Sequence, residues 1–289
     1  MKFRIYKDVK EFYKDTYDIL LRHEGQNLIP LGNIIIGNKG GDKTGWRDPV
    51  NWFMATVSDG SGVILSAVMT PPFNITLYAT DNNISVEALG FLVDEIEKAA
   101  VFVPGVMSEK ALALKFAEKY TEAKGMKHRI EMNQRIYELT EVNPEIPRIG
   151  HLRPAKESDM AFLPYWIDGF YEDALEAPEK KLDAEVARYH MASNRLYILE
   201  DKETPVSMVK ITREMVNACG IGIVYTPPYF RGKGYATSCV AGVSRMVLER
   251  GYLKCVLYTD LENPTSNSIY QKIGYRPVCD SLSVKFVQL

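Results

Sequence analysis

The stretch from Asn217 to Arg250 constrains the fold more than any other part of the chain. Residues 217–225 read as a strand that stops at Pro227-Pro228, because neither proline can donate a ladder hydrogen bond. The chain then turns through Arg231-Gly232-Lys233-Gly234 and enters a helix expected from Tyr235 to Arg250. Ala236, Cys239, Val240, Val243, Met246 and Val247 fall on one stripe of that helix, and Gly251 stands where a left-handed cap belongs. A glycine turn that runs into a helix N-terminus leaves several backbone N–H groups without intrahelical partners and lets a ligand approach the main chain. Such a turn is an anion site, most naturally for phosphate. An isolated glycine pair would read as an ordinary surface turn, and two familiar phosphate motifs fail on spacing. A P-loop needs Ser or Thr after Gly-Lys, and the Gly-x-Gly-x-x-Gly pattern is broken at Thr237.

The flanking segments supply a sheet for this turn. Glu157 to Leu175 and Glu179 to Met191 have helical spacing of apolar residues. Arg195 to Leu199 and Val206 to Ile211 read as two strands around the turn at Asp201-Lys202-Glu203-Thr204. A strand follows at Lys254 to Tyr258, then a short helix with Asn263 as N-cap, Pro264 in its first turn and Gly274 past its end. Arg276 to Gln288 alternates well enough for one or two closing strands.

Arg231-Gly232-Lys233-Gly234-Tyr235-Ala236 resembles the Arg/Gln-x-x-Gly-x-Gly/Ala pyrophosphate loop of the GNAT superfamily of acyl-CoA-dependent N-acyltransferases. The segment from Asn263 through Tyr270 to Gly274-Tyr275 is similar to that family's Asn-(x)6-Tyr-x-x-x-Gly-Phe/Tyr signature. The resemblance covers residues 150–289 and implies acetyl-CoA as co-substrate. It implies that backbone groups of Val224, Tyr225 and Thr226 pair with the pantetheine arm, and that the amides of Gly232, Lys233, Gly234, Tyr235, Ala236 and Thr237 hold the pyrophosphate. Arg231 would order the loop and Asn263 would contact the pantetheine. Tyr270, about two helical turns beyond Asn263, would be the general acid for the departing thiolate. Without the flanking motif, Tyr270 reads as an aromatic that packs its helix on the sheet.

Asp168, Glu172, Asp173, Glu176 and Glu179 lie within twelve residues, in the segment that lines the acceptor side in this family. Glu172, Asp173 and Glu176 are the expected contacts to a cationic amine, although a solvated helix edge explains the cluster equally well. His190 has the chemistry of a base but no partner spacing that supports the role.

The chain has 289 residues, 46% of them hydrophobic, which suits two domains. The prolines of residues 141–149 mark a seam, giving an expected division into 1–144 and 150–289. In the first half a hairpin is expected at Asn51–Val57 and Val63–Met69, then helices at Ser85–Ala99 and Ser108–Ala123 and a strand at Arg129–Leu139. That order resembles a second GNAT domain. Before its helix, however, stands Thr80-Asp81-Asn82-Asn83-Ile84, with no glycine and a carboxylate that would repel pyrophosphate. The Thr-Pro-Pro at residue 70 repeats that at residue 226 but follows the hairpin, so it corresponds to Thr212 in register. Gly37, Gly40 and Gly41 read as a flexible loop, a candidate cleft lid.

Lys and Arg total 35 against 37 for Asp and Glu, a net charge of -2 that gives no attraction to nucleic acid or to an anionic membrane. The N-terminus lacks an export-type apolar core and no apolar run approaches a membrane span, so a cytoplasmic protein is expected. Four widely spaced cysteines suggest buried thiols and no metal site. The sequence therefore predicts an α/β chain of two tandem GNAT-like domains, each a mixed sheet flanked by helices, with a degenerate first domain that shapes the acceptor site or a homodimer contact. The expected activity is acetyl-CoA-dependent N-acetylation of a primary amine on a small molecule or peptide, the alternative being a non-catalytic acyl-CoA sensor.

Overall fold

The computed structural model describes residues 1–41, 48–81, 86–175 and 183–288. In chain order the elements are β1 (Lys2–Tyr6), α1 (Val9–Leu21), α2 (Leu28–Asn38), β2 (Phe53–Asp59), β3 (Gly62–Met69), β4 (Ile75–Ala79), α3 (Val86–Lys98), β5 (Gly105–Glu109), α4 (Lys110–Lys124) and β6 (Met126–Leu139). There follow β7 (His151–Pro154), α5 (Leu163–Leu175), α6 (Ala184–Ala192), β8 (Leu196–Asp201), β9 (Thr204–Glu214), β10 (Ala218–Tyr225), α7 (Tyr235–Glu249), β11 (Lys254–Asp260), α8 (Pro264–Ile273) and β12 (Arg276–Gln288). One order is written twice: strand, two helices, hairpin, strand, helix, strand, helix, strand.

The chain forms two compact units, Met1–Ile136 with Val278–Leu289, and Tyr137–Pro277. In the first unit the strand order is β1-β2-β3-β4-β5-β12-β6, and in the second β7-β8-β9-β10-β11 is the matching run. The strand senses match as well. Hairpins β2–β3 and β8–β9 are antiparallel, and β4–β5 and β10–β11 are the parallel pairs.

The C-terminal tail departs from the expected division. β12 pairs antiparallel with β5, Ser281 opposite Glu109 through Lys285 opposite Gly105. Its Leu282, Val284 and Phe286 enter the first unit's core, where the Phe286 ring stacks on Tyr120 with centroids 4.7 Å apart. Alternation marks the tail as a strand, but only packing decides which sheet it joins. The glycines at residues 37–41 depart too. Gly37 lies inside α2, where a methyl group would come within 2.9 Å of Trp52 and Val9, so close packing requires it. Gly40 and Gly41, at φ 106° and 64°, return N–H bonds to Gly37 and Ile36 and end the helix. This segment is a packed helix end, and the expected flexible loop is not found over residues 37–41.

In the second unit the sheet has an apolar layer on each face. Val209, Ile211, Cys219 and Ile221 pack with α7 and α8, while Leu196, Ile198 and Met208 pack with α5 and α6. The alternation of β9 divides its residues between these layers. Cys219, Cys239 and Cys255 are buried, and burial pushes each thiol up to about 12. Cys279 is half-buried. Among the described residues no helix is long and apolar enough to cross a membrane.

Candidate active site

The site begins where β10 leaves β11. Their parallel ladder runs only from Ala218 opposite Lys254 to Gly220 opposite Val256. Past Gly220, β10 keeps its antiparallel register with β9 in broken form: Gly222 faces Lys210 and Tyr225 faces Met208, three residues advancing against two. That is a β-bulge, and Ile223 carries it at φ 51°. A β-branched residue in the left-handed region costs roughly 1–2 kcal/mol, so the surrounding packing must hold it there. The end of β10 is thereby turned away from β11 just before the glycine turn.

The turn has the predicted form. Gly232 and Gly234 adopt φ 76° and 82°, which disfavours any side chain at either position, and a methyl group on Gly232 would meet nothing within 4 Å. Gly234 is the N-cap of α7 and offers no capping side chain. At this end Ser238 N–H donates to the Gly234 carbonyl at 3.0 Å. Among the described residues, the amides of Gly232, Lys233, Gly234, Tyr235, Ala236 and Thr237 meet no acceptor from the protein. A row of such donors at a helix N-terminus fits a pyrophosphate.

Side chains brace this turn. Arg231 Nε donates to the Thr226 carbonyl at 2.9 Å, its other arm donates to the Asp173 carboxylate of α5, and its guanidinium lies 5.8 Å from the Tyr225 ring. Lys233 Nζ lies 5.8 Å from the Phe230 ring. Tyr235 Oη donates to Asp201 at 2.5 Å. Ser207 Oγ donates to the Tyr225 carbonyl at 3.0 Å and meets Thr226 Oγ1 at 2.8 Å. The carbonyls of Tyr225 and Thr226 thus each hold one side-chain donor.

The α8 end is equally fixed. Asn263 Oδ1 accepts from Ser266 N–H at 2.9 Å, as the N-cap reading requires, and Gly274 closes the helix at φ 117°. Asn267 joins the network by donating to the carbonyls of Asp260 and Asn263 and accepting from Tyr137 Oη at 2.9 Å. Tyr270, only 8% exposed, sits between the Tyr137 and Tyr275 rings at centroid distances of 6.5 and 5.9 Å. It shares one apolar cluster with Ile221 and Leu257, the first residues past the end of the β10–β11 ladder. Burial pushes its phenol up to about 12, so it keeps its proton at any physiological pH.

On the opposite face α5 crosses the end of β10 so closely that a methyl group on Gly169 would lie 2.3 Å from Tyr225 Oη. Asp173 is engaged with Arg231, and Glu172 is exposed. Glu176 and Glu179 lie outside the described residues. His190 is buried between Tyr171 Oη, 3.3 Å from its Nε2, and Lys210 Nζ, 2.9 Å from its Nδ1.

The first unit has the same junction in closed form. The β4–β5 ladder ends at Thr76 opposite Met107, β4 keeps an unbroken register with β3, and Ser108 Oγ donates to the Leu77 carbonyl at 2.7 Å. The turn expected at residues 80–84, between β4 and α3, lies largely outside the described residues. Thr70 follows β3, the hairpin strand that matches β9, in keeping with the expected register.

Residues 203–284 match the family model described as FR47-like protein, which is GNAT-related. The matched stretch runs from the β8–β9 turn into β12 and so lies mostly in the second unit, which is similar to that model there. No curated protein matches the chain. Among solved structures, a GNAT-family acetyltransferase from Colwellia psychrerythraea superposes with TM-score 0.58 at 12% identity over 100% of both chains. A Drosophila protein superposes with TM-score 0.67 at 10% identity, covering 99% of this chain and 98% of its own. A tandem GNAT protein from the clavulanic acid biosynthesis pathway superposes with TM-score 0.54 at 10% identity over 99% and 98%. The fold is that of tandem GNAT proteins. In the second unit, sequence reasoning missed the bulge at Ile223, which leaves no mark in residue types, and the Asp173–Arg231 pair. It also passed over Lys210, which is 6% exposed, although a lysine inside the strand Val206–Ile211 was a visible signal.

Proposed function

We propose that the second unit binds acetyl-CoA and transfers the acetyl group to a primary amine. The observation that carries this reading is the row of unengaged amides from Gly232 to Thr237, set directly after a strand that bulges away from its parallel neighbour. The amides and the helix N-terminus would hold the pyrophosphate. The end of β10, from Val224 to Thr226, would pair with the pantetheine arm, with Arg231 keeping the turn in place. Asn263 Oδ1 is committed to its cap, so any contact of Asn263 with the arm falls to its remaining groups.

The co-substrate supplies an acyl group activated as a thioester. Attack by a neutral amine expels a thiolate, and Tyr270 is the phenol suited to meet it. An ordinary thiol has a pKa of about 8.5, so full proton transfer from a phenol at about 12 is uphill by about 5 kcal/mol. Tyr270 therefore acts as a hydrogen-bond donor to the developing charge, which strengthens as the sulfur departs.

The acceptor is proposed to be cationic, drawn by Glu172, with Glu176 in the adjoining segment, while Asp173 is engaged with Arg231. A non-catalytic acyl-CoA sensor would use the same amides without needing Tyr270. The test is thiol release from acetyl-CoA with putrescine, phenethylamine, glycine and a peptide with a free N-terminus. Release that depends on an amine supports the transferase, and CoA binding without release supports the sensor.

A further inference from the structure

Tyr137, Tyr270 and Tyr275 are buried together in the second unit, and the Tyr270 ring contacts both of the others. A buried phenol usually finds a hydrogen-bond partner, and two of these three do. Tyr275 Oη meets Ser244 Oγ of α7 at 2.8 Å. Tyr137 Oη donates to Asn267 Oδ1 at 2.9 Å and accepts from Gln271 Nε2 at 3.1 Å. Tyr270 Oη takes no partner from the described residues, so its proton is not committed within the protein.

Asn267 and Gln271 stand four residues apart on α8, one turn above the other on the same face. One hydroxyl from β6 therefore clasps a full turn of α8, and Tyr270 lies inside that turn. Asn267 Nδ2 extends the clasp by donating to the carbonyls of Asp260 and Asn263, both at 2.8 Å, which ties the start of α8 to the end of β11. The helix needs such a hold. It has ten residues, of which Tyr270 and Ile273 are buried, so its apolar footing is small. A roll of about 10° about its axis carries a group at the side-chain radius of roughly 5–6 Å through about 1 Å. A displacement of about 1 Å at a reacting group is enough to cost up to roughly a hundredfold in rate.

We propose that Tyr137 is the positioning residue for Tyr270: by clasping Asn267 and Gln271 it fixes the roll of α8 and aims the Tyr270 hydroxyl at the departing sulfur. This inference rests on the acyl-transfer reading above. Tyr137 moves no proton, and it acts on the reaction only through Tyr270. Its contribution must therefore vanish once the Tyr270 hydroxyl is gone, whereas a side chain that merely stabilises the fold would matter equally with or without that hydroxyl.

The test compares wild type, Tyr137→Phe, Tyr270→Phe and the double variant, with acetyl-CoA and the fastest of the four amines named above. Tyr137→Phe keeps the ring and opens the clasp. It is expected to lower kcat about fivefold while KM for the amine and acetyl-CoA affinity by calorimetry stay unchanged. In the Tyr270→Phe background the same substitution should leave kcat where it is. An equal fold loss in both backgrounds, or wild-type kcat in Tyr137→Phe, overturns the positioning role. Should Tyr137→Phe fail to fold, Gln271→Met opens one arm of the clasp at an exposed position. It should lower kcat about threefold, again only while Tyr270 is present, and equal losses or no loss overturn the proposal. Wild-type protein that releases no thiol with any of the amines overturns the acyl-transfer reading and the positioning role with it. Wild-type turnover with additive variants removes only the positioning role.

Discussion

Ser108 Oγ donates to the Leu77 carbonyl at 2.7 Å, joining β4 to β5 one residue beyond the end of their backbone ladder. The matching position in the second unit sets Leu257 beside Ile221, with no hydroxyl to bridge them. A strand pair stitched in this way has no edge to offer a pantetheine arm, and the turn that follows lacks glycine. We expect calorimetry to find one CoA site per chain. A stoichiometry of two would restore the first unit as a binding domain.

Tyr270→Phe keeps the ring that packs between Tyr137 and Tyr275 and removes only the donor. Turnover should fall by about tenfold to a few hundredfold, within or just below the usual contribution of a proton donor, while CoA affinity stays near wild type. Because the phenol loses its proton only near pH 12, kcat should show no alkaline limb near 10 from this residue. Equal turnover in wild type and variant removes the donor role.

The acidic end of α5 divides into two jobs. Asp173 is paired with Arg231, and both side chains are 48% exposed, so the pair contributes at most about 1 kcal/mol. Asp173→Asn should raise KM for acetyl-CoA by no more than about fivefold and leave KM for putrescine alone. Glu172→Gln should raise KM for putrescine and weaken its dependence on salt, since exposed charges are screened as the Debye length shrinks to about 3 Å at 1 M. If neither Glu172→Gln nor salt moves the putrescine KM, this helix end only faces solvent.

Phe286 is 6% exposed in the first unit's core although it lies three residues from the C-terminus. Phe286→Ala should cost about 3 kcal/mol, read as a lower urea midpoint. An unchanged midpoint would mean that β12 is dispensable to that core.

Much of this fold is written locally. The stop at Pro227-Pro228, the cap at Asn263 and the stripe of α7 each fix an element by chemistry within a few residues, and all three stand where the sequence puts them. The strand β5 was hidden because Ser108 and Glu109 adjoin a strong helical pattern, so the expected helix began two residues early. The destination of β12 depends on partners far away in sequence, such as Tyr120, and no local pattern encodes it. In the site, glycine spacing announced the turn. The bulge at Ile223 was silent because sheet packing, not residue type, imposes its backbone.

Amine-dependent thiol release from acetyl-CoA, compared between wild type and Gly234→Asp, tests the proposed activity most directly. The aspartate adds a side chain at φ 82° and a negative charge among the amides of the turn, so it opposes pyrophosphate by both shape and charge. The prediction is release that requires an amine in the wild type, and loss of both release and CoA affinity in a variant that remains folded. Undiminished release or unchanged CoA affinity in folded Gly234→Asp would contradict it.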